Sequence, residues 1–255
     1  MVVDILIVGF IGFGTVSSSL SKILIENDCE VISSSNGRSL KTKELIKKLK
    51  VKDLNNFNEV SKNCDILISA NMPSKAVDIG KNYGSLTNNI FLDLNNISPA
   101  STNEIRNMVG ENFVDGAIVG NVNKDKSAIY LSGEKVNEIA VLKDYGLNIK
   151  VISDKIGDAS KLKVLRSIYT KGVSALLIET FEIAKQLNLE DELLNILATT
   201  EGDNFRNSSK SRIENSVNQL RKYEEVEEIV DFLKQLENVN VEFIDSMKNS
   251  FKRKF

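Results

Sequence analysis

Residues 5–25 have the composition of an anion-binding turn and read ILIVGFIGFGTVSSSLSKILI. An apolar run of strand length precedes Gly12 and Gly14, and apolar residues then recur at helical spacing. A turn without Cβ atoms lets a pyrophosphate approach the backbone, and the following helix directs free N–H groups at it. Ser17 stands at the third position of this GxGxxG pattern, where a small residue still allows close packing. An ordinary glycine turn is the alternative. We predict a dinucleotide site whose cofactor contacts here are Gly12, Phe13, Gly14, Thr15 and Val16.

A second loop, residues 34–39, reads SSNGRS and follows the predicted strand 30–33. Sites for NAD usually place an Asp or Glu about twenty residues beyond the first glycine, whereas sites for NADP replace it with a basic residue. This loop holds hydroxyls, an amide and the guanidinium of Arg38, but no carboxylate. We therefore predict NADP (NADPH), with Arg38 binding the 2′-phosphate through paired donors. A surface turn is the alternative for Arg38. The predicted contacts are Ser34, Asn36, Arg38 and Ser39.

Two later loops follow predicted strands at residues 65–69 and 90–94. In a doubly wound sheet, loops at the carboxyl ends of the strands line the ligand crevice. The first loop is predicted to cover the ribose and nicotinamide and consists of Ala70, Asn71, Met72 and Pro73. The predicted substrate contacts are Asn95, Asn96 and, from a later glycine-assisted loop, Asn121. Turns and helix caps use the same residue types, and Ser98 before Pro99 fits a helix start.

A lysine with hydroxyl neighbours lies in a long predicted helix, residues 159–187. Apolar residues cover most of the circumference of this helix, which indicates that it is largely buried. Lys163, Ser167, Thr170 and Ser174 lie within roughly 60° of one another at helical spacing. A lone lysine on such a helix commonly snorkels to water, but the accompanying hydroxyls favour a cleft wall. Because the chain has no histidine, any proton transfer near neutral pH must use Lys, Tyr, Asp, Glu, Cys or water, and Lys163 with Ser167 and Thr170 is the candidate group in this cleft wall.

Composition excludes several classes of protein. The chain has 255 residues, of which 42% are hydrophobic, and a formal net charge of -2. This balance gives no general electrostatic reason to expect nucleic acid or an anionic membrane as partner. Two cysteines without any histidine cannot complete a zinc site, so no metal is predicted. The longest apolar stretch is too short to span a bilayer, so a cytoplasmic protein is expected.

The order of elements predicts two domains. Strands and helices alternate up to residue 152, and the remainder reads as helices only. The predicted fold class is α/β, with an N-terminal Rossmann dinucleotide-binding domain, residues 1–154, followed by an all-α C-terminal domain, residues 155–255. The helical domain is expected to bind substrate and to form a homodimer, as the family resemblance set out below implies. Predicted helices include 134–145, 205–223 and 224–236.

The motifs together resemble one known superfamily. GFIGFGTVSSSL, residues 9–20, resembles the GxIGLGxMG signature of the β-hydroxyacid dehydrogenase superfamily, which includes 6-phosphogluconate and 3-hydroxyisobutyrate dehydrogenases. NGRS is similar to its NRT turn, DLNNISP to its DxSTxSP substrate loop, and DGAIVGNV to its DAPVSGG segment. Gly157 with Lys163 resembles GxGxxxK, whose lysine is the catalytic residue of the superfamily. The resemblance covers almost the whole chain.

Departures from these motifs affect the substrate more than the cofactor. Asn95 and Asn96 replace the Ser and Thr of the substrate loop, Val119 and Asn121 flank Gly120 in place of the Ser–Gly pair, and Ser167 replaces an Asn. Residues 157–179 are similar to the C-terminal domain of a prokaryotic subfamily whose substrate is not established. Known substrates of the superfamily therefore do not carry over.

These features predict an NADP-dependent oxidoreductase that transfers hydride between nicotinamide and a small hydroxy or oxo compound with an acidic group. An imine reductase or another NADPH reductase is the alternative within the enzymes. A non-enzymatic NADP-binding sensor is the alternative outside them. The sequence alone does not place the later basic residues Arg206, Arg212 and Arg221 relative to the cleft.

Overall fold

An eight-stranded sheet organises the first part of the chain in the computed structural model, which describes residues 5–120, 127–202, 204–214 and 219–252. The strands lie in the order β3-β2-β1-β4-β5-β6-β7-β8, and the pairs are parallel except for the antiparallel pair β6 and β7. The first six follow the Rossmann order. The strands β1 to β8 are Ile7–Ile11, Glu30–Ser33, Lys52–Asp53, Ile66–Ser69, Ile90–Asp93, Phe113–Val119, Ala128–Ser132 and Ile149–Ser153.

Helices connect the strands and then form the rest of the chain. Helices α1 to α6 are Thr15–Glu26, Leu40–Lys48, Phe57–Lys62, Ala76–Asn82, Pro99–Val109 and Val136–Ile139. Helices α7 to α11 are Asp158–Leu187, Glu190–Glu201, Phe205–Glu214, Gln219–Leu233 and Glu242–Lys252. By its internal contacts the chain divides into two units, residues 1–163 and 164–255.

The central strands are buried on both faces of the sheet, as expected where helices cover both sides. Every residue of β4 and β5 is buried. Two apolar clusters result, one that includes Leu20 and Leu24 of α1 and another that includes Ile79 of α4 and Ile105 of α5. Because β1, β2, β4 and β5 are parallel, their carboxyl ends lie at one edge of the sheet.

The second unit has a core of its own. Side chains of α7, α10 and α11 form it: Ala175, Ile178, Val226, Val230, Met247 and Phe251. None of the helices within the described ranges is long and apolar enough to cross a membrane.

The predicted fold class is confirmed, and the strands predicted at residues 30–33, 65–69 and 90–94 lie within one residue of β2, β4 and β5. The predicted helix 134–145 is instead the short α6 followed by a 3₁₀ turn, Ala140–Lys143. The buried residues of this segment, Val136, Ile139 and Leu142, recur every three residues, which is the period of a 3₁₀ helix. The boundary predicted after Tyr223 is wrong, because α10 continues through that residue.

Candidate functional site

The glycine turn between β1 and α1 has the geometry of an anion cradle. Gly12 has φ +85°, and a Cβ there would clash with Asn71 Oδ1. Gly14 is the N-cap of α1, and apart from its chain neighbours no described residue has a heavy atom within 4 Å of the position its Cβ would take. Within the described residues, no side chain caps the start of α1, and its first turn holds no acid. The free N–H groups and the positive dipole end of α1 therefore fit a pyrophosphate. Phe13 is buried, whereas Thr15 is exposed and Val16 partly buried.

Ser17 explains how the third glycine of the pattern is replaced. Its side chain is fully buried, and Oγ donates a hydrogen bond to the carbonyl oxygen of Gly12 at 2.8 Å. The hydroxyl thereby ties the first turn of α1 to the glycine turn. A serine supplies this bond, and a glycine could not.

Polar side chains brace the loop after β2. The buried Ser34 Oγ accepts from the Asn36 N–H at 3.3 Å, and Asn36 Nδ2 donates to the Asn55 carbonyl at 3.0 Å. Ser39 Oγ accepts from the Thr42 N–H at 3.3 Å and caps α2. The guanidinium carbon of Arg38 lies 5.1 Å from the centre of the Phe57 ring, a cation–π distance. Arg38 is exposed and is supported by this ring at the surface.

One expectation about this loop is corrected. No carboxylate follows β2 directly in sequence, but the pairing of β3 with β2 brings Asp53 beside the loop. Asp53 Oδ1 accepts a hydrogen bond from the Ser35 N–H at 2.8 Å. A carboxylate in this place favours a ribose hydroxyl over a 2′-phosphate. The local sequence could not indicate this contact of Asp53, because the contact depends on how the two-residue strand β3 pairs with β2.

Three residues, which we call the asparagine brace, join the loops after β1, β4 and β5: Asn71, Asp93 and Asn95. Asn71 Nδ2 donates to the Ile11 carbonyl, and the Asn71 N–H donates to Asn95 Oδ1. Asn95 Nδ2 donates to Asp93 Oδ1 at 2.5 Å and to Ser69 Oγ at 2.8 Å. Asn95 is 4% exposed, and its amide faces inward. The brace therefore fixes the loop of Asn71 over Gly12, and a substrate contact by Asn95 stays a prediction.

Asp93 is a buried residue of the candidate site that the sequence did not single out. It is 1% exposed, and burial raises the pKa of its carboxyl group from 3.8 to about 7, against the hydrogen bonds from Asn95. The nearby Asp115 carboxylate raises it further. The sequence feature that could have identified Asp93 is a carboxylate inside an otherwise apolar strand.

The remaining predicted loop residues differ in exposure. Ala70 is partly buried, Met72 and Asn96 are exposed, and Pro73 begins a 3₁₀ turn. Ser98 Oγ accepts from the Ser101 N–H at 3.2 Å and caps α5, as the sequence suggested. Asn121 lies outside the described residues.

Lys163 is the sixth residue of α7, and it is partly buried. It belongs to the first unit of the chain. Its charge acts on the buried Asp115 of β6. Burial raises the pKa of Asp115, while hydrogen bonds from Ser160 and Ser132, and then the charge of Lys163, oppose this rise. The predicted proton-transfer residue is thus close to a carboxylate at the edge of the sheet.

Ser167 and Thr170 belong to the second unit and are partly buried. Thr170 Oγ1 donates to the Ser167 carbonyl at 3.3 Å, and the Thr170 carbonyl accepts from Arg212 Nη1 at 3.2 Å. Arg206 bonds to the Asn195 side chain instead. Of the later basic residues, Arg212 therefore contacts a predicted site residue, whereas the side chain of Arg221 lies outside the described part.

In the described ranges, no group of three or more His, Cys, Asp or Glu side chains could hold a metal ion. Cys29 and Cys64 are buried free thiols, and burial raises the pKa of each to about 12. Neither thiol is suited to nucleophilic chemistry.

Similar proteins were found at the level of whole chains. An uncharacterised 28.5 kDa protein of Methanothermus fervidus, from the 7S RNA 5′ region, is 43% identical over 247 residues, which are 96% of this chain and 97% of that one. A solved conserved protein of unknown function, described as similar in structure to 3-hydroxyacid dehydrogenases, is 38% identical with a TM-score of 0.81. The match covers 96% of this chain and 98% of that chain. This chain belongs to the β-hydroxyacid dehydrogenase superfamily. No family model matches it.

More distant members of the same fold are also solved. The Mycobacterium tuberculosis 3-hydroxyisobutyrate dehydrogenase with L-serine is 12% identical with a TM-score of 0.79, over 97% of this chain and 93% of that one. The imine reductase of Myxococcus stipitatus in complex with NADP+ is 15% identical with a TM-score of 0.60. The match covers 97% of this chain and 93% of that chain. At these identities the likeness shows the superfamily fold alone.

Proposed function

We propose that this superfamily member is an NADP-dependent oxidoreductase that transfers hydride between nicotinamide and a small hydroxy or oxo compound with an acidic group. The observation that carries the proposal is the glycine turn. Gly12 has a positive φ, no described side chain fills the space beside Gly14, and α1 begins directly after Gly14 without a side-chain cap from the described residues. In this proposal residues 1–154 hold the dinucleotide, and residues 155–255 hold the substrate.

The cofactor would be held at three places along the sheet edge. The turn of residues 12–16 would bind the pyrophosphate, Arg38 the 2′-phosphate, and the loop 70–73 would lie along the ribose and nicotinamide. The exposed guanidinium of Arg38 supports NADP, and the Asp53 carboxylate beside Ser35 weighs against it. A dinucleotide in the solved imine reductase of the same fold gives the general class of cofactor. When bound, nicotinamide supplies or accepts the hydride.

Lys163 is proposed to move the proton that accompanies hydride transfer. In reduction its ammonium protonates the oxygen of the carbonyl as the carbon receives hydride, and in oxidation its amine accepts the hydroxyl proton. The resemblance of residues 157–163 to GxGxxxK supports this role, as does the partly buried position of Lys163. Ser167 and Thr170, at helical spacing from Lys163, would orient the lysine or the substrate.

Lys163→Ala tests this proposal, with Lys161→Ala as the matched control. Lys161 is exposed, lies on the same helix and pairs with Asp158 at 2.9 Å. We expect wild type and Lys161→Ala to oxidise NADPH with a member of a panel of small oxo acids, followed by nicotinamide absorbance. Lys163→Ala should lose at least about a hundredfold in turnover while NADPH affinity is unchanged. Turnover retained by Lys163→Ala would contradict the role of the lysine.

An imine reductase is the second candidate. The Ser and Thr of the superfamily substrate loop are absent, and the amide of Asn95 faces inward, so the loop offers a substrate fewer polar contacts than the motif predicts. Reduction of cyclic imines that survives in Lys163→Ala would favour this candidate over the dehydrogenase.

We also propose a homodimer joined through the second unit. Five large apolar side chains of α7 are 58–69% exposed in the single chain: Leu165, Tyr169, Leu176, Ile183 and Leu187. Helical spacing places them within roughly 40° of one another. The helix is therefore less buried in one chain than its sequence predicts, and a second copy would cover this stripe.

A further inference from the structure

Arg212 lies on the buried face of α9. Phe205, Ser209 and Arg212 are spaced at i, i+4 and i+7, which places them on one side of the helix. Ser209 is 1% exposed, and Phe205 and Arg212 are partly buried, whereas residues 206–208 between them are exposed. Removing a charged guanidinium from water costs free energy unless a partner compensates for the lost hydration.

The hydrogen bond that Arg212 makes gives little of this compensation. Arg212 Nη1 donates to the Thr170 carbonyl oxygen of α7 at 3.2 Å. The same oxygen accepts from Ser174 Oγ at 2.9 Å, besides the N–H that an α-helix brings to it from four residues later. A carbonyl oxygen has two lone pairs, so these two donors already satisfy it. The bond from Arg212 therefore orients the guanidinium more than it satisfies the carbonyl.

Other cations of the second unit have side-chain partners. Lys171, whose side chain is 12% exposed, pairs with Glu225 at 2.9 Å, and Arg206 bonds to the Asn195 side chain. Among the described residues, Arg212 is bonded to no carboxylate. A guanidinium carries five N–H donors in a planar fork. With Nη1 anchored on the carbonyl, the donors of Nη2 and Nε are left for a two-pronged bond to an anion.

A hydroxyl group belongs to the same residue that anchors Arg212. Thr170 is partly buried, and its Oγ1 donates to the Ser167 carbonyl at 3.3 Å. That distance is longer than an ordinary hydrogen bond from a hydroxyl, so the bond is weak and the hydroxyl can turn to a better acceptor. An anion bonded to Arg212 would be such an acceptor, because hydrogen bonds to a charged oxygen are the stronger ones.

We propose that Arg212 and Thr170 form a carboxylate-binding site in the second unit. Arg212 supplies paired donors that match the two oxygens of a carboxylate, and Thr170 Oγ1 supplies a third donor. The identification of this carboxylate with the acidic group of the substrate rests on the proposed function. The binding itself does not, because both residues belong to the second unit and need no dinucleotide.

The test measures carboxylate binding to the full chain without dinucleotide. Succinate is titrated and followed by saturation-transfer difference NMR, with succinamide as its uncharged counterpart and methylphosphonate as a phosphate-like anion. Wild type should saturate with succinate and not with succinamide. Arg212→Gln removes the charge and keeps a donor for the Thr170 carbonyl, and it should weaken succinate binding about tenfold or more. Arg206→Gln, at an exposed position of the same helix, is the matched control and should bind as wild type does.

The other outcomes would contradict the proposal. A wild type that does not saturate with succinate, an unchanged affinity in Arg212→Gln, or an equal loss in Arg206→Gln would overturn it. Saturation by methylphosphonate alone, lost in Arg212→Gln, would overturn the assignment of a carboxylate in favour of a phosphate.

Two milder variants carry the test should Arg212→Gln fail to fold. Arg212→Lys keeps the positive charge but loses the planar fork, and Thr170→Val keeps the carbonyl anchor but loses the hydroxyl. Each should weaken succinate binding about threefold, and wild-type affinity in both would overturn the proposal. Failure of the proposed function would appear separately, as a wild type that binds succinate through Arg212 but binds neither NADPH nor NADH.

Discussion

Asp93 and Asp115 lie opposite each other on the neighbouring strands β5 and β6, and each is 1% exposed. Each carboxylate is bonded to a different part of the sheet edge. Asp93 holds Asn95 and, through it, the loop of Asn71, whereas Asp115 holds the start of α7. Two adjacent buried acids therefore position the loop of Asn71 and the start of α7.

Asp93 should make the stability of the protein depend on pH. Its carboxyl pKa is about 7 in the folded chain and 3.8 as the reference value. Between these values the folded state binds more protons than the unfolded state, so the free energy of unfolding falls as pH rises. The favourable contribution is fully present below about pH 4 and is lost above about pH 7, amounting to at most about 4 kcal/mol.

Urea unfolding of wild type and Asp93→Asn at several values between pH 4 and pH 8 measures this effect. The decline in unfolding free energy with pH should be smaller in Asp93→Asn, whereas the control Asp144→Asn, at an exposed position, should follow wild type. Parallel curves for wild type and Asp93→Asn would show that Asp93 does not titrate as expected.

Residues whose role depends on local chain geometry could be predicted, and those whose role depends on strand pairing could not. Gly12, Gly14 and the cap Ser98 follow from patterns a few residues long. Asp53 reaches its loop only through the register of β3 against β2. Asn95 has the residue type of a ligand contact, but its neighbours Ser69 and Asp93 on two strands turn its amide inward.

At the scale of elements, the glycine turn between β1 and α1 meets three structural requirements within residues 12–17. Gly12 is required by its φ and by the close approach of Asn71, Ser17 bonds back to the turn, and Gly14 borders open space. The apolar run of strand length and the helical spacing of apolar residues predicted β1 and α1. The apolar spacing at residues 136–142 predicts one continuous helix, because a single turn of α-helix and a single turn of 3₁₀ helix have similar spacing in sequence.

Substituting alanine at Gly12 and at Gly14 should separate the effect of the glycine turn on the free energy of unfolding from its effect on NADPH binding. Gly110 has φ +82° and open space around it, so Gly110→Ala reports the cost of the backbone alone, about 1 kcal/mol. Gly12→Ala should cost clearly more, because it adds the clash with Asn71. Gly14→Ala should leave the unfolding free energy within about 0.5 kcal/mol of wild type and still weaken NADPH binding about tenfold or more.

Chemical denaturation and dinucleotide titration of the three variants measure these effects. Equal destabilisation by Gly12→Ala and Gly110→Ala would contradict the close contact with Asn71. Unchanged NADPH affinity in Gly14→Ala would place the pyrophosphate elsewhere.

At the scale of the whole molecule, we expect the apolar stripe of α7 to join two copies of the chain. Leu176 lies in the middle of this stripe and is 65% exposed in the single chain. Sedimentation equilibrium should give wild type a mass of twice the 28.3 kDa chain and Leu176→Lys the mass of one chain. Leu236→Lys, at an exposed apolar residue outside the stripe, should stay dimeric. A monomeric wild type would contradict the proposed dimer.

In the proposed cofactor site, two opposed charges at one loop bear on the choice between NADP and NAD. Arg38 favours a 2′-phosphate, and Asp53 opposes it. Asp53→Asn keeps the acceptor for the Ser35 N–H and removes the charge, so it should raise affinity for NADPH relative to NADH. Arg38→Ala should lower NADPH affinity about tenfold or more and change NADH affinity little. Lys41→Ala, an exposed cation on the following helix, is the control.

Calorimetric titration of NADPH and NADH into wild type, Arg38→Ala and Asp53→Asn tests the central claim most directly. We predict that wild type binds NADPH more tightly than NADH, and that this preference falls in Arg38→Ala and rises in Asp53→Asn. A preference for NADH that Arg38→Ala leaves unchanged would contradict the assignment of NADP. The absence of binding by either dinucleotide would contradict the proposed function as a whole.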